Sequence, residues 1–153
     1  MARLDRMPED ERNHLLSLPC QSYDSSPWVT GPPLSERRVA IITTAGLHLR
    51  GNQPFGVGAA DYRAIPVDIH ADELVMSHIS TNFDRTGFQQ DWNVVFPLDR
   101  LRELADSTVI DSVADFHYSF MGATDPARME ATARTLARIL KSDRVNAVLL
   151  VPV

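Results

Sequence analysis

The spacing of hydrophobic positions divides this chain into alternating helices and strands. Helices are predicted at residues 8–18, 97–106 and 126–141. The last of these has the clearest helical spacing, with Met129, Ala133, Leu136, Ala137 and Leu140 on one face. Strands are predicted where apolar and β-branched residues form short runs, at 38–45, 73–79 and 145–153, with a weaker strand at 108–116. The remaining stretches, 46–66, 80–96 and 117–126, are predicted as loops or links.

The closing run, VNAVLLVPV at 145–153, reads as a central strand buried on both faces of a parallel sheet. Alternating strands and helices predict an α/β domain: a three-layer, open, mostly parallel sheet of the flavodoxin or Rossmann type. In such sheets the binding and catalytic sites lie at the carboxyl ends of the strands. The given sequence stops at that end, so the sheet is expected to be incomplete at its C-terminus.

The pattern predicts two regions of different character. Residues 1–35 comprise the first helix and a proline-rich arm at 20–35, in which Pro27, Gly31, Pro32 and Pro33 oppose regular structure. Residues 36–153 form a single α/β domain. An irregular arm of this length favours a role in interactions.

Composition narrows the function classes. The chain has 153 residues, of which 44% are hydrophobic and 23% charged, and a net charge of −5, which argues against electrostatic nucleic-acid binding. No apolar run reaches membrane-span length and no secretory signal is present, so a cytoplasmic location is expected. The single cysteine, Cys20, excludes an internal disulfide and a cysteine-rich zinc site within these residues, and it is interpreted as structural or incidental.

Histidines and one aspartate are the candidate catalytic residues. His48 follows the first strand, His78 ends the second, His117 opens the link before the long helix, and Asp84 is a companion carboxylate. Such groups at the carboxyl end of a sheet could shuttle protons or bind a metal, or each histidine could instead satisfy backbone groups. Their spacing matches no metal motif, so no metal or other cofactor is predicted. His70, in a loop, completes the set considered.

Three arginines in the predicted loops are the candidate substrate-binding residues: Arg50, Arg63 and Arg85. A loop arginine can clamp a substrate carboxylate with two hydrogen bonds. The alternative is a solvated charge or a salt bridge to a neighbouring aspartate. The glycine-rich stretch that begins at Gly46, GLHLRGNQPFGVG, matches no phosphate-binding motif. It is interpreted as a loop that covers a substrate or contacts a partner.

Several long strings carry a family resemblance: RVAIITTAGLH, SHIS with NFDR, QDWNVVFPLDRL, HYSFMGATDP and the closing VNAVLLVPV. From about Pro32 to Val153 the chain resembles the selenoprotein B family of the glycine, sarcosine, betaine and D-proline reductases, in a short D-proline reductase-like form. The resemblance implies that a selenol or thiol attacks a substrate carbon and displaces an amine. A dithiol or thioredoxin-like reductant then regenerates the enzyme, and a separate second subunit activates a small-molecule substrate.

The family's selenocysteine or cysteine follows a strand like VLLVPV, whereas the given sequence ends at Val153. Selenocysteine is encoded by UGA, so reading that codon as a stop would produce this ending. The family resemblance therefore carries over no redox residue, and the four candidate catalytic residues have no family role assigned. Two hypotheses follow: a reductase whose redox residue lies beyond Val153, or a non-catalytic α/β module for binding or oligomerisation. An uncovered sheet predicts a homo-oligomer.

Overall fold

The computed structural model describes residues 4–19, 22, 24, 26, 28–80 and 83–153. Cys20 lies outside the described residues. Four helices and seven strands are present among the described residues: α1 Glu9–Ser17, β1 Arg38–Thr43, β2 Leu47–Leu49, β3 Arg63–Pro66, β4 Leu74–Met76, α2 Thr86–Gln90, α3 Leu98–Asp106, β5 Ser112–Val113, β6 Phe116–Ser119, α4 Pro126–Ser142 and β7 Ala147–Val151. Short 3-10 helices occur at Leu4–Arg6, Leu34–Glu36, Ala71–Glu73 and Trp92–Val94.

The chain separates into two compact units, Met1–Thr30 and Gly31–Val153. The first unit contains α1, which begins after Pro8 with three acidic residues in its first turn and buries none of its side chains. In the same unit the Trp28 side chain is 88% exposed. No helix in the described part of the chain has the length and apolar character needed to cross a membrane.

The second unit is an α/β fold built around β1. β5, β6 and β7 all pair with β1 in parallel, and β3 pairs with β6 in antiparallel fashion. Alternate residues of β1 face opposite sides of the sheet. Val39 and Ile41 pack in a core with Leu98 and Leu101 of α3. Ala40 packs in a second core with residues of α4, so helices cover both faces. The predicted mostly parallel, three-layer α/β architecture is confirmed, and its finer flavodoxin or Rossmann assignment stays a prediction.

Within the described residues, the closing strand lies at an edge of the sheet and not at the predicted central position. β7 is parallel to β1, as expected, but it pairs with no other strand among the described residues. Because β7 occupies one edge of β1 along Val39–Thr43, β5 and β6 must share the other edge. The central strand is therefore β1. The side chains of Val148, Leu149 and Leu150 in β7 are 40%, 38% and 67% exposed.

The predicted second strand and the loop before it also need correction. Residues 73–79 contribute only β4, which pairs with β2 in a separate two-stranded antiparallel sheet. Gly46 has a φ of +66°, a conformation that favours glycine, and it turns the chain out of the main sheet after β1. The predicted loop at 46–66 therefore contains both β2 and β3, because their backbones find pairing partners far along the chain.

The region predicted as a weak strand at 108–116 and the link that follows it contain two short strands, β5 and β6. Arg38 of β1 pairs with Ser112 of β5, and Ile42 of β1 pairs with Tyr118 of β6. The segment from β5 to β6 therefore contains two more residues than the stretch of β1 with which it pairs. This local interruption resembles a bulge. The predicted loop at 80–96 likewise contains α2 and a 3-10 helix. The three predicted helices agree closely with α1, α3 and α4.

Candidate functional site

The carboxyl ends of β1, β6 and β7 meet at a dense set of backbone hydrogen bonds. The Thr44 amide donates to the Val151 carbonyl at 3.1 Å, and the Gly122 amide donates to the Thr44 carbonyl at 2.9 Å. The Val153 amide donates to the Thr44 hydroxyl oxygen at 2.9 Å. A Cβ atom added to Gly122 would lie 2.9 Å from the carbonyl oxygens of both Thr44 and Val153, so only glycine permits this approach.

A cavity of about 210 Å³ lies at this edge of the sheet, lined by His78, Ser80, Phe83, Gly122, Ala123 and Val153. The segment that supplies its histidine is held to the end of β1, because the Ser77 amide donates to the Gly46 carbonyl at 2.9 Å. The location agrees with the general rule that ligands bind beyond the carboxyl ends of parallel strands. We therefore take this cavity as the candidate site.

Of the predicted catalytic residues, His78 is the one that lines the cavity. Its ring is 4% exposed and lies 5.0 Å from the Phe83 ring, centroid to centroid. The Ser80 amide donates to its Nδ1 at 3.2 Å, while its buried Nε2 has no hydrogen-bond partner among the described residues. Burial lowers the pKa of His78, and the positive charge of Arg85 acts in the same direction.

His117 occupies the core and does not line the cavity. It lies in β6, opposite Ile65 of β3, and is fully buried. The Ile41 amide of β1 donates to its Nδ1 at 3.0 Å, so the ring accepts a hydrogen bond at the point where β5 and β6 are interrupted. Burial lowers the pKa of His117 to about 4, with Arg102 and Arg38 acting in the same direction. The geometry indicates a structural role.

His48 and Asp84 also have local partners outside the cavity. His48, in β2, is 4% exposed and donates from Nδ1 to the Leu49 carbonyl at 2.9 Å. Asp84 is exposed and accepts a hydrogen bond from the Thr86 amide at 2.9 Å, and the hydrogen bonds from Thr86 lower its pKa. No described contact joins any two of the four predicted catalytic residues, and no cluster of metal-binding side chains occurs among the residues that the structure describes.

Each predicted substrate-binding arginine donates to a backbone carbonyl. Arg50 donates to the Asp72 carbonyl at 2.8 Å. Arg63 donates to the Gln53 carbonyl at 3.0 Å, forms a salt bridge with Asp61 at 2.6 Å and lies over the Phe55 ring. Arg85 donates to the carbonyl of His78, which brings its charge beside the cavity.

Two larger hollows, of about 450 Å³ each, lie elsewhere and share Arg50 in their walls. One is lined by three acidic residues, Asp72, Asp91 and Asp99. The smaller cavity has no acidic side chain among the lining residues that the structure describes, and it combines a buried histidine with the carboxyl ends of the parallel strands. These differences favour it as the site.

Sequence reasoning missed most of the cavity. The sequence predicts only loops for four of its lining residues, Ser80, Phe83, Gly122 and Ala123. The glycine within HYSFMGATDP is a signal for a close backbone approach, but its contact with Thr44, 78 positions earlier in the chain, depends on tertiary structure.

Comparisons with known proteins identify relatives. A family model described as glycine/sarcosine/betaine reductase selenoprotein B matches residues 20–153. The chain is 32% identical over 133 residues to the D-proline reductase subunit gamma of Acetoanaerobium sticklandii, covering 80% of this chain and 54% of that protein. It is 31% identical over 140 residues to the glycine reductase complex component B subunit gamma of Symbiobacterium thermophilum, covering 86% of this chain and 32% of that protein.

The chain thus spans about half of one relative and about a third of the other. Both relatives are named as gamma subunits of larger reductases. No solved structure matches the chain significantly.

Proposed function

The chain belongs to the glycine/sarcosine/betaine reductase selenoprotein B family, and on that premise we propose that it forms the scaffold and substrate cavity of a reductase subunit. The single observation that carries the proposal is the cavity of about 210 Å³ at the carboxyl ends of the parallel strands. At a liquid volume of roughly 30 Å³ per water, it holds about seven waters, a space suited to a small amino-acid-like molecule.

The proposed reaction is the reductive cleavage of a carbon–nitrogen bond in such a substrate. A thiol or selenol attacks the carbon and a carbon–sulfur or carbon–selenium bond forms as the carbon–nitrogen bond breaks. The cationic amine is displaced as a neutral amine. One thiolate of the dithiol then attacks the enzyme sulfur or selenium and breaks its bond to carbon, and the carbon takes the electron pair and a proton. The second thiolate displaces the enzyme thiol or selenol, which is thereby regenerated, and the dithiol becomes a disulfide. The nucleophile is proposed to come from outside residues 1–153, and a second subunit is proposed to assist, as the relatives' subunit names suggest.

The full-length protein, with the subunits that co-purify with it, tests this reaction directly. Glycine, sarcosine, betaine and D-proline are supplied separately with dithiothreitol, and consumption of each is measured. We expect dithiol-dependent consumption of at least one of them and none without the dithiol. Failure of all four to be consumed would contradict the reductase proposal.

Two substitutions of alanine by tryptophan test whether the substrate binds in this cavity. Ala123→Trp places a bulky side chain in the wall of the cavity, and we expect it to lower kcat/KM at least tenfold. Ala131→Trp, at an exposed position of α4 that does not line the cavity, is the matched control and should leave kcat/KM nearly unchanged. Equal effects of the two substitutions would argue against the cavity as the substrate site.

A second candidate function, a binding or oligomerisation module, is favoured by the exposed apolar residues of β7. Among the described residues β7 pairs with β1 alone, so its second edge and the exposed Leu150 offer backbone and side-chain groups for pairing with another chain. We expect a homo-oligomer that Leu150→Lys disrupts while the circular dichroism spectrum is retained. A monomer in light scattering for the unsubstituted protein would argue against this candidate.

A further inference from the structure

The hydrogen bonds of His78 determine which of its ring nitrogens carries the proton. The Ser80 amide donates to Nδ1, and a backbone amide can only donate. Nδ1 therefore presents its lone pair, and the neutral ring has its hydrogen on Nε2. This Nε2 is buried and has no partner among the described residues. His117 has the same arrangement inside the core, so the unpaired donor alone does not indicate a ligand. Because buried polar groups are almost always paired and His78 also lines a cavity, its donor indicates a place for a ligand acceptor.

The surroundings of His78 favour an anionic acceptor. Among the described residues, none of the side chains that line the cavity is acidic. The guanidinium of Arg85 donates to the carbonyl of His78 and adds positive charge nearby. Burial and Arg85 also lower the pKa of His78, which favours the neutral ring with its hydrogen on Nε2 near neutral pH.

We propose that the Nε2–H group of His78 binds the carboxylate of an amino-acid-like substrate in this cavity. The identity of the ligand rests on the proposed function, since glycine and D-proline in the relatives' names, and sarcosine and betaine in the family description, all carry a carboxylate. While Nδ1 accepts from Ser80, Nε2 has no lone pair. His78 therefore orients the substrate and does not act as a general base.

His48 provides a matched comparison. It is as deeply buried as His78, at 4% exposure, and its Nε2 is also unpartnered among the described residues. Its Nδ1, however, pairs with the Leu49 carbonyl, which can only accept. The proton of His48 is therefore on Nδ1, and His48 is not among the residues that line the cavity.

Nitrogen-15 NMR of the histidine side chains in the full-length protein tests the assignment. We expect His78 as the Nε2–H tautomer and His48 as the Nδ1–H tautomer. Glycine, sarcosine, betaine and D-proline are then titrated separately, and at least one should shift the Nε2 resonance of His78. Pyrrolidine, the D-proline ring without its carboxylate, should not shift it. An Nδ1–H tautomer at His78, or no shift with any of the four, would overturn the proposal.

Substitutions measure the contribution of the donor. His78→Phe removes it and should weaken carboxylate binding about tenfold or more, as expected for a hydrogen bond to a charged group. His78→Gln keeps an N–H donor and should bind within about threefold of the unsubstituted protein, while His48→Phe should leave the dissociation constant unchanged. If His78→Phe does not fold by circular dichroism, His78→Gln decides the matter: a Gln variant with full thermal stability and no binding refutes a donor role.

The outcomes separate this inference from the reductase proposal. Carboxylate binding that depends on His78, without dithiol-dependent turnover, would support the inference and contradict the reductase. Turnover that persists unchanged in His78→Phe, with unchanged KM, would support the reductase and overturn the inference.

Discussion

Acidification tests the role of His117 at the centre of the fold. Its Nδ1 accepts a hydrogen bond from the Ile41 amide of β1, the central strand, at 3.0 Å. Protonation of Nδ1 would break this bond and place a charge in the core near two arginines, Arg38 and Arg102, whose charges already lower the pKa of His117 after the larger effect of burial. We expect the folded protein to lose stability as His117 binds a proton.

The sign and size of this loss of stability follow from the linkage between proton binding and unfolding. The pKa of His117 is about 4 in the folded protein, against 6.5 for an unperturbed histidine. Between these values the unfolded chain binds more protons, so the free energy of unfolding rises with pH. The contribution is fully present above about pH 6.5 and is lost as the pH falls towards 4. At about 1.36 kcal/mol for each pH unit, it amounts to about 3 kcal/mol.

Urea unfolding followed by circular dichroism at pH 7, 6, 5 and 4.5 measures this loss. His117→Asn is the matched variant, because the amide oxygen of asparagine can accept the Ile41 hydrogen bond without titrating. The variant loses ring contacts with Phe96, which lies 5.6 Å away centroid to centroid, and should be less stable at pH 7. Its free energy of unfolding should nevertheless fall less steeply with acid than that of the unsubstituted protein. Parallel losses in the two proteins would refute the reasoning.

Two further substitutions test the geometry near the cavity and the start of α4. Gly122→Ala should destabilise the protein by about 1–3 kcal/mol, because the added Cβ would meet the Thr44 carbonyl at 2.9 Å, whereas Gly56→Ala, where nothing lies within 4 Å, should have little effect. Similar melting temperatures for both variants would contradict the close approach. Asp125→Ala should cost about 1 kcal/mol in chemical unfolding, because Asp125 accepts from the Ala127 amide at 3.0 Å and caps α4, and an unchanged midpoint would argue against this cap.

Local chemistry determined the helices and the first strand. In α4, apolar residues at helical spacing, a capping aspartate and Pro126 in the first turn lie within one short segment, so the sequence predicts the helix without knowledge of the rest of the fold. The run of branched residues in β1 likewise predicts a buried strand. The family strings also pointed to the reductases, and the comparisons confirm that membership.

Tertiary structure decided the strand positions and the cavity. The apolar run of β7 favours burial, but burial depends on which elements pack against it, and here β1 takes the centre of the sheet. His78, His48 and His117 look alike in sequence as histidines near strand ends. In all three, Nδ1 is paired with a backbone group and Nε2 has no partner among the described residues. Their roles diverge because the backbone group at Nδ1, an amide or a carbonyl, determines where the proton lies, and because His78, unlike the other two, lies beside Gly122 in the cavity wall. Hydrophobic spacing carries no information about these contacts, since they join residues that the fold alone brings together.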